Sequence, residues 1–204
     1  MGSRPIIRPN SRMDPILIDL PDELVGERTV VRPYRAGDGA ALFEAIDESR
    51  EHILPWMPWG PQHAKPSDTE AFVRQARARY DRREDLPLAF FDRHTRRILG
   101  GTGLHRIDWA VRSFEIGYWV RVSAQGKGYV TETALLLTKL CFEVLEANRV
   151  TITVAVENER SAAIPPRLGF KLEGTLRNSI RDAQGVLHDR LVFGMTPEEW
   201  RARG

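Results

Sequence analysis

Residues 149–156, RVTITVAV, form an almost unbroken β-branched run. A strand of that composition suits the middle of a sheet covered on both faces, so the chain should build layers of helix around a sheet. The preceding segment supplies one such layer. Residues 127–146 read as a long helix with Val130, Ala134, Leu137, Cys141 and Val144 on one stripe. A strand near 113–121 leads into that helix through a turn punctuated by glycine.

The remaining elements alternate. Residues 29–34 (TVVRPY) read as a first strand, and 36–49 as a helix with Asp38 as N-cap and Ala41, Leu42, Ala45 and Ile46 at helical spacing. Ser67-Asp68-Thr69-Glu70 matches a capping box and should open a second helix running to about residue 82, with Arg74, Arg77, Arg79, Arg82 and Arg83 on a solvated basic face. Strands follow near 87–92 and 97–105, joined by Arg93-His94-Thr95. A short helical turn at 161–167 precedes an antiparallel hairpin of 170–181 and 186–195. With 204 residues, one domain over 23–204 behind a loose polar arm over 1–22 is the expected organisation.

Composition narrows the function classes. A net charge of +2 gives no electrostatic case for nucleic acid. The single cysteine, Cys141, excludes an internal disulfide and leaves no cysteine cluster for a metal. Its apolar helical setting suits an inert buried thiol. No stretch has the apolar length of a membrane span, and the N-terminus lacks a signal-peptide pattern, so a cytoplasmic protein is expected.

The turn itself points to an anion. Free N–H groups at a helix start, with the positive end of the helix dipole, attract phosphate. Gly126 and Gly128 would let the backbone come close to it. Neither G-x-x-x-x-G-K-[ST] nor G-x-G-x-x-G is present; what stands there is Gln125-x-x-Gly128-x-Val130.

Five pieces in this order carry a family resemblance: ERTVVRPYRAGD, ILPWMPW, FEIGYWV, QGKGYVTE and VENERSAAIPPRLGFKLEGTLR, with HDRLVFGMTPEEW at the end. Over about 24–200 the chain resembles the GNAT superfamily of acyl-CoA-dependent N-acyltransferases, in the branch of the ribosomal-protein N-terminal acetyltransferases (RimJ/RimL-like). The resemblance implies one α/β domain whose mixed, mostly antiparallel sheet of seven strands is splayed at its centre, with helices on both faces. It implies acetyl-CoA as co-substrate and no metal. Its pyrophosphate would lie on the amides of Gln125, Gly126, Lys127, Gly128, Tyr129 and Val130. Lys127 would add charge, Val120 would donate its N–H to the thioester carbonyl with Val122 close by, and Asn158 would contact pantetheine. Homodimers are implied by analogy alone.

The proton carriers depart from the family pattern. Many members place a tyrosine seven residues after the asparagine, where this chain has Pro165. Ser161 then serves the departing sulfur, or only caps the following helical turn. A glutamate used by ribosomal-protein enzymes is replaced by Ile180, which leaves Glu115 as the foremost carboxylate for a base. His105, Asp108, Asp182 and a water-mediated route are further options. Trp56 and Trp59 would wall an acceptor pocket rimmed by His105, Arg106 and the hairpin tip. The expected reaction is acetyl transfer to a primary amine, on a protein N-terminus or a small molecule, by direct attack in a ternary complex. The alternatives are another acyl donor such as succinyl-CoA, or an acyl-CoA-binding protein without turnover.

Overall fold

A computed structural model describes residues 14–57 and 59–203. Its eight-stranded sheet has the order β1-β2-β3-β4-β5-β6-β8-β7. The strands are β1 (Leu24–Val25), β2 (Thr29–Pro33), β3 (Leu86–Asp92), β4 (Ile98–Asp108), β5 (Ser113–Val120), β6 (Arg149–Ala155), β7 (Lys171–Arg181) and β8 (Leu187–Met195). All neighbours are antiparallel except β5 and β6. The strand beyond the seven expected is β1, too short to carry a periodic signal.

Helices α1 (Gly39–Asp47), α2 (Arg50–Ile53) and α3 (Pro66–Asp81) belong to one face, and α4 (Tyr129–Lys139) to the other. Alternation along β3 shows how one strand serves both. Leu86, Leu88 and Phe90 join Ala134 and Leu137 of α4 in the larger core. Ala89 and Phe91 join Leu42, Ala45 and Ile46 of α1 and Val73 and Ala76 of α3 in the smaller one. Short helices α5 (Glu159–Ala162) and α6 (Ile164–Arg167) follow β6, and α7 (Pro197–Arg201) closes the fold.

Several local expectations change. Over residues 149–154, β6 is fully buried on one face only, through Val150, Ile152 and Val154. Thr151 and Thr153 are half-buried on the other, where their hydroxyls donate to the Phe114 carbonyl (3.4 Å) and to Glu115 Oε1 (3.0 Å). The long helix ends early, because Leu140–Val144 winds as a π turn. One extra residue per turn rotates the stripe, so Leu145 is buried and Val144 is exposed. Helix α3 starts two residues before the expected capping box would open it, with Asp68 Oδ2 accepting from the Lys65 N–H at 3.2 Å. Glu70 instead caps α1 from across the interface, accepting from Gly37 and Gly39 N–H. Asp38 stands at the N-cap of α1, yet its carboxylate holds the Arg32 guanidinium and the Arg35 N–H.

Residues 1–13 of the expected arm lie outside the described residues. The described remainder is docked: Ile18 and Leu20 pack against the larger core, and the Ile18 carbonyl accepts from Arg83 Nη2 at 2.9 Å. No helix among the described residues is long and apolar enough to cross a membrane.

One buried cation ties β5 to α1. The Arg121 side chain is 1% exposed and pairs with Glu44 and Glu48, while Glu48 also accepts from the Ser123 N–H and hydroxyl. The Arg121 guanidinium beside it holds the Glu48 carboxyl down at about 2, against 4.5 in the unfolded chain. A depressed carboxylate adds stability above its unfolded value and loses it as the pH falls toward its folded one. Urea denaturation should therefore show this contribution draining between pH 4.5 and about pH 2. Glu48→Gln should lose stability at neutral pH and show a shallower decline below pH 4.5.

Candidate active site

Between β5 and α4 the chain makes a tight turn at Val122–Ala124, then passes through Gly126 (φ +70°) and Gly128 (φ +78°), the N-cap of α4. Two glycines in the left-handed region fold the loop so that successive N–H groups converge. The N–H groups of residues 126–131 find no acceptor among the described residues, and only that of Gln125 reaches back to the Val122 carbonyl, at 3.3 Å. A Cβ built at Gly126 would meet nothing within 4 Å. This combination of orphan donors, helix dipole and open space suits a diphosphate.

The loop is fixed from outside. Arg28 Nη1 donates to the Lys127 carbonyl at 2.8 Å and pairs with Glu132 in the first turn of α4, so that carboxylate's charge is offset near the anion site. Arg160 Nη1 donates to Gln125 Oε1 at 2.9 Å, and the buried Gln125 Nε2 has no partner. Val122 has its N–H engaged by Ser49 Oγ at 3.0 Å. Lys127 turns its ammonium back onto the Ser123 carbonyl, 3.0 Å away, leaving only its amide for the anion. The Tyr129 hydroxyl donates to Asp92 Oδ2 at 3.0 Å.

A cleft of about 780 Å³ runs from this loop into the sheet. Its walls include Val120, Gln125, Gly126, Gly128, Tyr129, Val130, Asn158 and Ser161, as well as His52, Trp56, Tyr118, Arg160 and Arg167. Strand β5 pairs with β6 only from Ser113↔Arg149 to Glu115↔Thr151, and beyond that the two diverge. The Arg121 N–H donates to the Leu99 carbonyl across β4. By alternation the backbone groups of Tyr118 and Val120 then point the other way, into the gap left by β6. An amide held there is a preorganised donor for a carbonyl oxygen that gains charge.

Asn158 caps α5, its Oδ1 accepting from the Ser161 N–H at 3.2 Å. The helix cap is thus Asn158, and the Ser161 hydroxyl is left for the cleft, where it donates to the Tyr118 Oη at 3.4 Å. Burial pushes the Tyr118 phenol up to about 12.

A second cavity of about 380 Å³ lies on the α1–α3 side and shares Met57, Tyr118 and Trp119 with the first. Trp59 and His105 line it; Trp56 lines only the first cleft, so the two tryptophans do not wall one pocket. His105 Nδ1 lies 2.8 Å from Asp85 Oδ1. Arg106 lines neither cavity, because its guanidinium pairs with Glu115 at the last paired position before the splay. At the hairpin tip Asp182 accepts from the Gln184 and Val186 N–H groups and faces His188 Nε2 at 3.1 Å, which holds its carboxyl below the usual range, while His188 also faces Glu157 at 3.4 Å and the ring of Trp56. Asp108 likewise serves a turn, accepting from Ala110 and Val111 N–H. Cys141 is buried, which pushes its thiol far up and leaves it inert.

Residues 28–171 match the acetyltransferase (GNAT) domain family. The chain belongs to the GNAT family. This GNAT chain is 30% identical over 178 residues to the putative ribosomal N-acetyltransferase YdaF of Bacillus subtilis, covering 86% of this chain and 95% of that one. It is 23% identical to the ribosomal protein uS5-alanine N-acetyltransferase of Escherichia coli, over 87% of this chain and 92% of the other. Among solved structures, Mycobacterium smegmatis RimJ in complex with a CoA-disulfide superposes with a TM-score of 0.78 at 28% identity, over 92% of this chain and 91% of RimJ. The protein is an acyl-CoA-dependent N-acyltransferase of the RimJ/RimL-like kind.

His52, Tyr118, Arg160 and Arg167 escaped the sequence reading. Arg160 and Arg167 carried a signal, since both fall in the stretch that holds Asn158 and Ser161. Tyr118 carried none, because strand alternation alone does not say which neighbour opens away.

Proposed function

We propose that the protein moves an acetyl group from acetyl-CoA to a primary amine by direct attack in a ternary complex, with a protein N-terminus as the foremost acceptor. The observation that carries this reading is the row of unpaired amides at the start of α4, set in a cleft that reaches the parted strands. The amides of residues 126–130 hold the diphosphate, that of Gln125 being taken by the Val122 carbonyl, and Arg160 and Arg167 offset its charge. Asn158 contacts the pantetheine arm. The Val120 N–H donates to the thioester oxygen as negative charge grows there, an effect of about 3 kcal/mol for one such donor. The protein-N-terminus acceptor, and a cytoplasmic location with it, rest on what YdaF and the uS5 enzyme are named for.

Glu115 stands at the last paired position of β5 and β6 and lines neither cavity. It accepts from Thr153 Oγ1 at 3.0 Å and pairs with Arg106, so it takes up the amine's proton through water rather than by close contact. Trp59 and His105 line the acceptor side. Homodimerisation, proposed by family analogy, is read by light scattering.

Thermal-shift titration with acetyl-CoA, succinyl-CoA and free coenzyme A, followed by mass spectrometry of amine acceptors, tests the reading. Stabilisation by acetyl-CoA with a 42 Da gain on an amine (the mass of one added acetyl group, about) supports it; absence of any shift overturns it. Ser161→Ala should lower kcat by about tenfold or more and change the affinity for acetyl-CoA less than twofold. Unchanged turnover would leave Ser161 without a part in thiol release.

A further inference from the structure

The leaving thiol needs a proton, and Pro165 has none to give. Four hydroxyls line the larger cleft, those of Tyr118, Tyr129, Thr131 and Ser161. Tyr129 is committed to Asp92, and Thr131 lies in the first turn of α4, at the diphosphate end. Only Tyr118 and Ser161 stand beside the parted strands, and they touch: Ser161 Oγ donates to Tyr118 Oη at 3.4 Å, and Tyr118 Oη donates to the Ser161 carbonyl at 3.3 Å, the bond its proton would leave for the sulfur. Tyr118 sits two residues before Val120 on a strand whose even-numbered backbone groups face the gap.

Resting on the acetyl-transfer reading above, we propose that Tyr118 is the catalytic acid that protonates the departing sulfur, with Ser161 as the positioning residue that donates to its phenol oxygen. The amine nitrogen forms its bond to the thioester carbon, and the C–S bond then breaks with its electron pair going to sulfur. The Tyr118 proton moves to that sulfur and yields the thiol. Glu115 has taken the ammonium's proton through water before attack; the phenolate then takes the second proton of that nitrogen, also through water, which restores Tyr118 and leaves a neutral amide. Burial opposes a lasting phenolate, and the Ser161 hydrogen bond eases it, so the charge is carried only during the transfer.

Three proteins test the proposal: Tyr118→Phe, Ser161→Ala, and a full-length chain with 3,5-difluorotyrosine at position 118. Tyr118→Phe should keep its melting temperature and its affinity for acetyl-CoA while kcat falls about 100-fold, more than in Ser161→Ala. The fluorinated chain should turn over and show a new descending alkaline limb in kcat, below any limb of the wild type because its phenol is more acidic, and above the free amino acid's ionisation because burial raises both phenols. A purely structural tyrosine would not move that limb. A Tyr118→Phe enzyme within twofold of wild type, a loss confined to KM, or a fluorinated chain without the new limb overturns the proposal. In each case wild-type turnover still reports separately on acetyl transfer. If Tyr118→Phe melts early, the fluorinated chain decides alone.

Discussion

Gly128→Val should weaken coenzyme A binding by about 100-fold. Residue 128 holds φ +78° at the N-cap of α4, where a side chain costs roughly 1–2 kcal/mol, more for a β-branched one. The larger cost follows if the loop relaxes, since the amides of residues 126–131 then no longer converge. Each lost bond to a charged phosphate is worth about 1.5–3 kcal/mol, and 1.4 kcal/mol is a tenfold change. Gly174→Ala serves as control, because Gly174 lies in β7 with an ordinary φ and nothing within 4 Å of an added Cβ. Isothermal titration should show the first variant impaired and the control unchanged. Equal affinity in both would move the diphosphate away from α4.

Arg121→Ala should lower the melting temperature by roughly 10 °C. Emptying a fully buried long side chain costs about 2–5 kcal/mol, and each kcal/mol is worth about 2–4 °C in a chain of this size. The Arg121 side chain is 1% exposed and also donates to the Ile98 carbonyl at 3.1 Å, so its removal empties volume as well as charge. Arg121→Met restores volume. Glu44, 63% exposed, can turn to solvent, and Glu48 keeps its two bonds from Ser123. Methionine should therefore recover part of the loss seen with alanine. Both variants should also weaken coenzyme A binding, because Arg121 and Glu48 together seat the turn that leads into the amide loop. A melting temperature unchanged in Arg121→Ala would show that the pair contributes only at the surface.

Legibility in the sequence followed the range of the interaction. Strand alternation, the α4 stripe up to Cys141 and the hairpin turn at residues 182–185 depend on near neighbours in the chain, so they could be read directly. The π turn at Leu140–Val144 could not, since the apolar pattern there fits an α-helix equally well and only the burial of Leu145 in place of Val144 shows the shift. Glu70 shows the same limit. Its position in a capping motif suggested its own helix, while the packing of α3 on α1 spends it on Gly37 and Gly39.

The site divides along the same line. Glycines at 126 and 128 just ahead of an amphipathic run mark a loop of orphan amides, because backbone geometry is a local property. Side-chain assignments needed the tertiary structure. Lys127 turns away to Ser123, Arg106 closes on Glu115, and Trp56 and Trp59 part into different cavities. Tyr118 meets Ser161 across 43 residues of chain only because β5 and β6 separate after Glu115. The sequence alone determined the anion loop and the layered α/β plan, through patterns that each segment carries within itself. The divergence of two strands, and the choice of which side chains face the gap, are properties of the packed sheet, since both depend on contacts between segments distant in sequence.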